Sequence, residues 1–176
     1  MNQLTINNTI VEIFVGELIK TNYDAVVLPT NPRLLPSGDL RVKTLREAGS
    51  TVQVECNKII QTISNVSTGN AIMTSGGNLG SKYIIHVHAG HEGKKLMLAT
   101  WNSLKIADEK HLKSIVFPPI LKEVIGFNTK KCADIMLPTI EKYLQEKNKN
   151  LKNVSICLEN LLDYKEFETV LDSISN

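Results

Sequence analysis

Little in this chain of 176 residues is extreme, and what it lacks narrows its class. The formal net charge is only +2, too small for an electrostatic footprint on nucleic acid, whose backbone calls for a basic patch. The Lys-rich piece over 141–152 reads as a helix end running into a solvated loop. Cysteine is scarce: Cys56, Cys132 and Cys157 are odd in number and far apart, which suits free, buried thiols in a reducing compartment. With no C-x-x-C pair, a structural zinc cluster is not expected. Residues 1–10 have neither a charged n-region nor an apolar stretch, so no signal peptide is read there. No apolar run reaches the length of a membrane span. Linkers, low-complexity tracts and internal repeats are also lacking. The expectation is one soluble, cytoplasmic domain over residues 1–176, with a buried core and no membrane partner.

What is present is organised around residues 23–49. Ala25-Val26-Val27-Leu28 is an unbroken apolar run, the pattern of a strand buried on both faces. It ends in Pro29-Thr30-Asn31-Pro32, and a second turn, Pro36-Ser37-Gly38-Asp39, precedes a helix over 40–48 stopped by Gly49. Asp39 or Ser37 is expected to cap that helix. Strand, polar loop and helix start in this order receive anions, because a first helical turn leaves N–H groups unpaired.

Apolar strands and amphipathic helices alternate along the rest of the chain. Strands are read over 10–15, 70–74, 82–88, 114–117 and 153–158. Helices are read over 52–63 and 95–108, from a cap at Asn128 or Thr129, and from Asp163 with Glu166 completing a capping box. Trp101 lies off its helix's stripe and should pack on a neighbouring helix, while Pro138 should kink or divide the helix that contains it. The order implies an α/β fold, a mixed and largely parallel sheet between helical layers. Ligands bind such sheets outside the carboxyl ends of the strands, which here selects the loops over 29–39, 89–93, 118–128 and 159–163.

Other constellations carry less. His86-Val87-His88-Ala89-Gly90-His91 resembles the H-x-H-x-D-H run of binuclear metallo-hydrolases, but Gly90 stands where a carboxylate ligand is needed. An interior, hydrogen-bonded strand histidine accounts for it better, and no metal is expected. Ser75 to Gly80 lacks the Gly-Lys-Ser/Thr ending of a phosphate loop and reads as a turn between strands. No G-x-S-x-G elbow is present.

Together these segments resemble a macrodomain, the ADP-ribose-binding α/β/α module, over about residues 11–171. Tyr23-Asp24-Ala25-Val26-Val27-Leu28-Pro29-Thr30-Asn31 is similar to the family's V-D-A-I-V-N-A-A-N, with Leu28 for its first asparagine. Thr68-Gly69-Asn70-Ala71 and Tyr83 to Val87 resemble T-G-x-A and Y-V-I-H-x-V. Phe117-Pro118-Pro119-Ile120 with Gly126-Phe127 resembles F-P-A-I-S-T-G-x-Y-G-F, and Tyr164 to Phe167 the closing Y-x-x-F. The resemblance implies that Glu17, in place of the family's acid in G-D-I, binds the adenine amino group beside Leu18, and that Asn31 faces the distal ribose. It implies a ligand site completed by Gly38, Asp39, Pro118, the loop Lys122-Glu123-Val124-Ile125-Gly126, Phe127 and Asn160.

Two departures fall at this site. The glycine-rich G-G-G-V-D-G is here Ser37-Gly38-Asp39-Leu40-Arg41-Val42, with Arg41 where hydrolytic members often have aspartate. The S-T-G loop is here Leu121-Lys122-Glu123. Arg41 is then the residue expected near an attacking water, with Asp39 and Asn31 as the candidate catalytic pair. The implied function is binding of ADP-ribose or a related nucleotide, without a cofactor, and weak ADP-ribosyl hydrolysis at most. An ADP-ribosylated protein is the larger partner this allows. The alternatives are an inactive binding module for another nucleotide, RNA or protein and, with least support, a His-rich metallo-hydrolase.

Overall fold

The computed structural model describes residues 1–120 and 127–175. In chain order its elements are β1 (Gln3–Ile6), β2 (Thr9–Val15), a 3-10 turn (Leu18–Lys20), β3 (Ala25–Pro29), α1 (Asp39–Ala48), α2 (Ser50–Ile63), β4 (Ala71–Ser75), β5 (Tyr83–Val87), α3 (Gly93–Glu109), β6 (Ser114–Phe117), α4 (Thr129–Glu146), β7 (Asn153–Leu158) and α5 (Leu161–Ile174). Among the described residues the strands form one seven-stranded sheet in the order β1-β2-β7-β6-β3-β5-β4. The central strands β2, β7, β6, β3 and β5 are parallel, and β1 and β4 pair antiparallel at the two edges.

Period-two alternation divides the core. Ala25, Val27, Ile85, Val87, Ile115, Phe117, Val154 and Ile156 pack against α3, α4 and α5 on one face. Val26, Leu28, Ile84, Val116 and Cys157 pack with Leu45, Ala48, Val52 and Cys56 of α1 and α2 on the other. Central strands covered on both faces can carry no polar face, which is why they read as unbroken apolar runs. The three-layer α/β/α arrangement expected from the sequence is the one observed.

Several local expectations differ. Strand β1 was not expected: its residues alternate between exposed and half-buried, with Leu4 and Ile6 packed against the edge of the core. Asn7 and Asn8, at φ of 46° and 66°, turn it onto β2, a conformation asparagine tolerates. Helix α1 is capped by Gly38 with no side-chain cap, not by Asp39 or Ser37. Helix α5 starts at Leu161, and its capping partners are Asn160 and Asp163, whose N–H donates to Asn160 Oδ1 at 2.9 Å. Glu166 is not part of that cap. Helix α4 is one continuous element despite Pro138. Both Pro138 and Asp134 are exposed, so the carbonyl that loses its N–H partner faces water. Trp101 packs edge-on against Tyr143 of α4, with ring centroids 5.0 Å apart.

A buried carboxylate closes the far end of the helical layer. Asp108, at the end of α3, accepts hydrogen bonds from Tyr143 Oη at 3.1 Å, Asn150 N at 2.8 Å and Asn150 Nδ2 at 3.0 Å, and from Lys149 N. Burial and this neighbouring carboxylate push the Tyr143 hydroxyl pKa upward. Asp108→Ala should lower the unfolding free energy in urea by about 2–4 kcal/mol, since several buried donors lose their acceptor together. Tyr143→Phe removes one donor and should cost about 1 kcal/mol. Equal midpoints for Asp108→Ala and the wild type would show that the turn after α4 is held by other contacts.

Candidate functional site

The carboxyl ends of all five parallel strands open into one cleft of about 570 Å³. Gly16 to Ile19 line it after β2, Cys157 and Glu159 at the end of β7, and Pro118 to Ile120 after β6. Thr30, Gly38, Asp39, Leu40, Arg41 and Lys43 line it from the β3–α1 connection and the helix itself, and His88 to His91 after β5. Parts of all four loops selected from the sequence therefore meet there, joined by the β2 loop. Helix α1 points its uncapped start at this space: Gly38 adopts φ 77°, a Cβ there would meet nothing within 4 Å, and no side chain caps the first turn. The first-turn N–H groups are left for water or a ligand.

The expected site residues divide into groups. Glu17, Leu18, Gly38, Asp39 and Pro118 line the cleft. Glu17 is paired with Lys20 Nζ at 2.6 Å and with Lys43 Nζ at 3.5 Å, and the hydrogen bond from Lys20 holds its carboxyl below the ordinary range. Asn31 is not among the cleft-lining residues. Its Nδ2 donates to Leu35 O at 2.7 Å, and its Oδ1 accepts from Arg33 N and Leu35 N at 3.1 and 3.0 Å. Its amide is consumed in shaping its own loop, where two prolines leave few backbone donors. Asn160 caps α5, and Phe127 is buried beneath Lys131, whose Nζ lies 4.3 Å from the ring centroid. Lys122, Glu123, Val124, Ile125 and Gly126 lie outside the described residues. Lys43 and His88 were not expected in the site, and His91 was expected only as part of the ligand loop over 89–93. The histidine run was the only sequence signal for His88.

Arg41 borders the cleft, but its guanidinium is turned into the floor beneath it. The residue is 2% exposed, and its guanidinium donates from Nε to Leu35 O at 2.9 Å, from Nη2 to Leu34 O at 3.0 Å, and from Nη1 to His86 Nδ1 at 2.9 Å. An arginine can only donate, so His86 carries its proton on Nε2 and donates to Thr74 Oγ1 at 2.8 Å. Thr74 passes its hydroxyl hydrogen to Ser75 O at 3.0 Å. His86 is thus the interior strand histidine that the sequence suggested. Among the described residues no group of three His, Cys, Asp or Glu side chains is placed to hold a metal.

A model of the Macro domain family matches residues 27–136. An uncharacterized protein of Saccharolobus solfataricus is 33% identical over 163 residues, covering 90% of each chain. The chain belongs to the macro domain family. The macrodomain of Oceanobacillus iheyensis, 28% identical, superposes with a TM-score of 0.93 as a mutant with ADP-ribose, over 98% of this chain and 97% of that one. Its complex with ADP gives a TM-score of 0.92, covering 98% and 95%. An ADP-ribose glycohydrolase of Rattus norvegicus is 28% identical over 159 residues, covering 86% of this chain and 60% of its own length.

In this macrodomain the Arg41–His86 pair ties the cleft floor to the sheet and makes it acid-sensitive. Burial, with the adjacent Arg41 cation, drives the His86 pKa down from 6.5 to about 3. The unfolded chain therefore takes up a proton that the native state refuses as pH falls from 6.5 toward about 3, so stability declines across that window. The decline from this group is at most about 1.4 kcal/mol per pH unit. Urea unfolding across the range should show a shallower loss in His86→Gln than in the wild type. Parallel curves would place the acid sensitivity elsewhere.

Proposed function

We propose that the cleft binds ADP-ribose or a closely related adenine nucleotide in an extended pose, and that it serves chiefly as a reader of that ligand. The observation that carries this reading is the cleft's span. It runs from Glu17 after β2 to His88 after β5, across four strand spacings, or roughly 19 Å. Such a length suits a ligand with a base at one end, a sugar at the other and a diphosphate between them. At the middle, the uncapped start of α1 with Gly38 offers N–H groups to an anion, and Lys43 adds a cation. The ADP-ribose and ADP complexes of the Oceanobacillus relative support the same ligand class.

At the β2 end, the Glu17 carboxylate is the acceptor for an adenine amino group, which would replace its longer contact, that with Lys43. Calorimetry with ADP-ribose, ADP and AMP tests the reading. The wild type should bind all three, and Glu17→Ala should weaken them by similar factors because the base is common to them. No binding heat with any of the three would overturn it.

Hydrolysis is expected to be slow. Rate enhancement at a glycosidic bond comes from preorganised groups around the reacting atoms. Here Asn31 is spent on its loop and Arg41 is a buried cation, which leaves Asp39 as the acid lining this part of the cleft. A mono-ADP-ribosylated protein should keep its label during incubation. Arg41→Asp should not create activity; it should cost about 3–5 kcal/mol of stability, because it buries a carboxylate against two carbonyls. Rapid release of ADP-ribose that is lost in Asp39→Ala would instead support a hydrolase.

A further inference from the structure

We propose that His88 is the residue by which the cleft recognises a hydroxyl-bearing group beyond the diphosphate, accepting a hydrogen bond at Nε2. The proposal rests on the nucleotide reading above and adds to it the residue that distinguishes ADP-ribose from ADP. Its basis is local geometry. His88 Nδ1 lies 3.0 Å from Val66 O; a carbonyl only accepts, so Nδ1 carries a hydrogen, and in the neutral form of the ring Nε2 is then the lone-pair acceptor. No partner for Nε2 is found among the described residues, and His88 lines the cleft.

The ring is held firmly for this task. His88 N donates to Asn70 O at 3.2 Å, and Gly69 N donates to His88 O at 2.6 Å. The Val66 carbonyl that fixes the tautomer belongs to a residue whose own N–H donates to Pro32 O at 2.7 Å. The imidazole is thereby tied to the β3–α1 loop as well as to its strand. Two other side chains near this end are already engaged: the Asn31 amide is satisfied within its loop, and Thr30 Oγ1 donates to Asn31 O at 3.1 Å.

A neutral nitrogen acceptor discriminates by chemistry. Its lone pair repels phosphate oxygens, which are acceptors too, and attracts an O–H donor. ADP ends in phosphate, whereas ADP-ribose continues into a ribose with free hydroxyls. Position agrees, since β5 lies four strands from β2, where Glu17 stands.

The test is calorimetry on the full chain at about pH 8, where a free imidazole is neutral. His88→Phe keeps a ring but removes the acceptor, and His88→Gln keeps an acceptor near the ε position. His88→Phe should weaken ADP-ribose about tenfold while leaving ADP within about twofold, and His88→Gln should retain most of the ADP-ribose affinity. Imidazole nitrogen NMR of the wild type gives a readout that does not depend on a variant folding: the Nε2 resonance should move with ADP-ribose and stay with ADP. Equal effects on both ligands, or an unchanged Nε2 resonance in saturating ADP-ribose, overturn the role of His88 while leaving nucleotide binding intact. A wild type that binds neither ligand overturns both readings.

Discussion

The cleft depends on one buried cation. Among the described residues no carboxylate pairs with Arg41, and its donors are met by two loop carbonyls and a neutral imidazole. Burying a guanidinium is unfavourable unless its donors are met, so the pocket around it is strongly specified. Leu34 shows the consequence. It adopts φ 57° although it is not glycine, and it is fully buried. That left-handed backbone costs about 1–2 kcal/mol, offset by burial of the side chain and by the Arg41 bond to its carbonyl. Burial, together with the same guanidinium, holds His86 neutral, and through Thr74 the bond chain reaches the edge strand β4.

The clip stands at a position where the chain departs from the family's sequence pattern while it keeps the family's architecture. A position at which the family resemblance suggests a carboxylate near the ligand is here a structural cation facing inward. Its guanidinium links the loop carbonyls of Leu34 and Leu35 to His86 of β5, and the Asn31 amide is bonded within the same loop. The groups that line the cleft include the first turn of α1, Lys43, Asp39 and the histidines after β5. Gly38, the glycine retained at the helix start, lines the cleft at φ 77°, a backbone conformation that favours glycine.

The cleft walls also differ in how firmly they are held. The β5 side is tied through backbone bonds to Asn70, Gly69 and Thr30. The β2 side is bounded by the Glu17–Lys20 and Glu17–Lys43 pairs, all of them well exposed, and exposed pairs of this kind contribute little and exchange readily with water. A ligand can therefore displace partners at the Glu17 end more easily than it can reshape the His88 end.

The sequence alone determined the layers and the end of the sheet that functions. Unbroken apolar strands such as 25–28 and 114–117 could only be central, and their alternation with amphipathic helices placed the ligand loops at their carboxyl ends. Those signals are local and periodic, so they survive without knowledge of the fold. The edge strand β1 escaped because a half-exposed strand carries no such pattern. The direction of individual side chains was decided only by tertiary structure. Asn31, Arg41 and His88 each present polar atoms that several neighbours could satisfy, and nothing in a linear pattern says which neighbour wins. The outcome follows from where buried carbonyls must find donors: Leu34 and Leu35 took Arg41, the turn took Asn31, and Val66 took one nitrogen of His88 and left the other without a partner among the described residues.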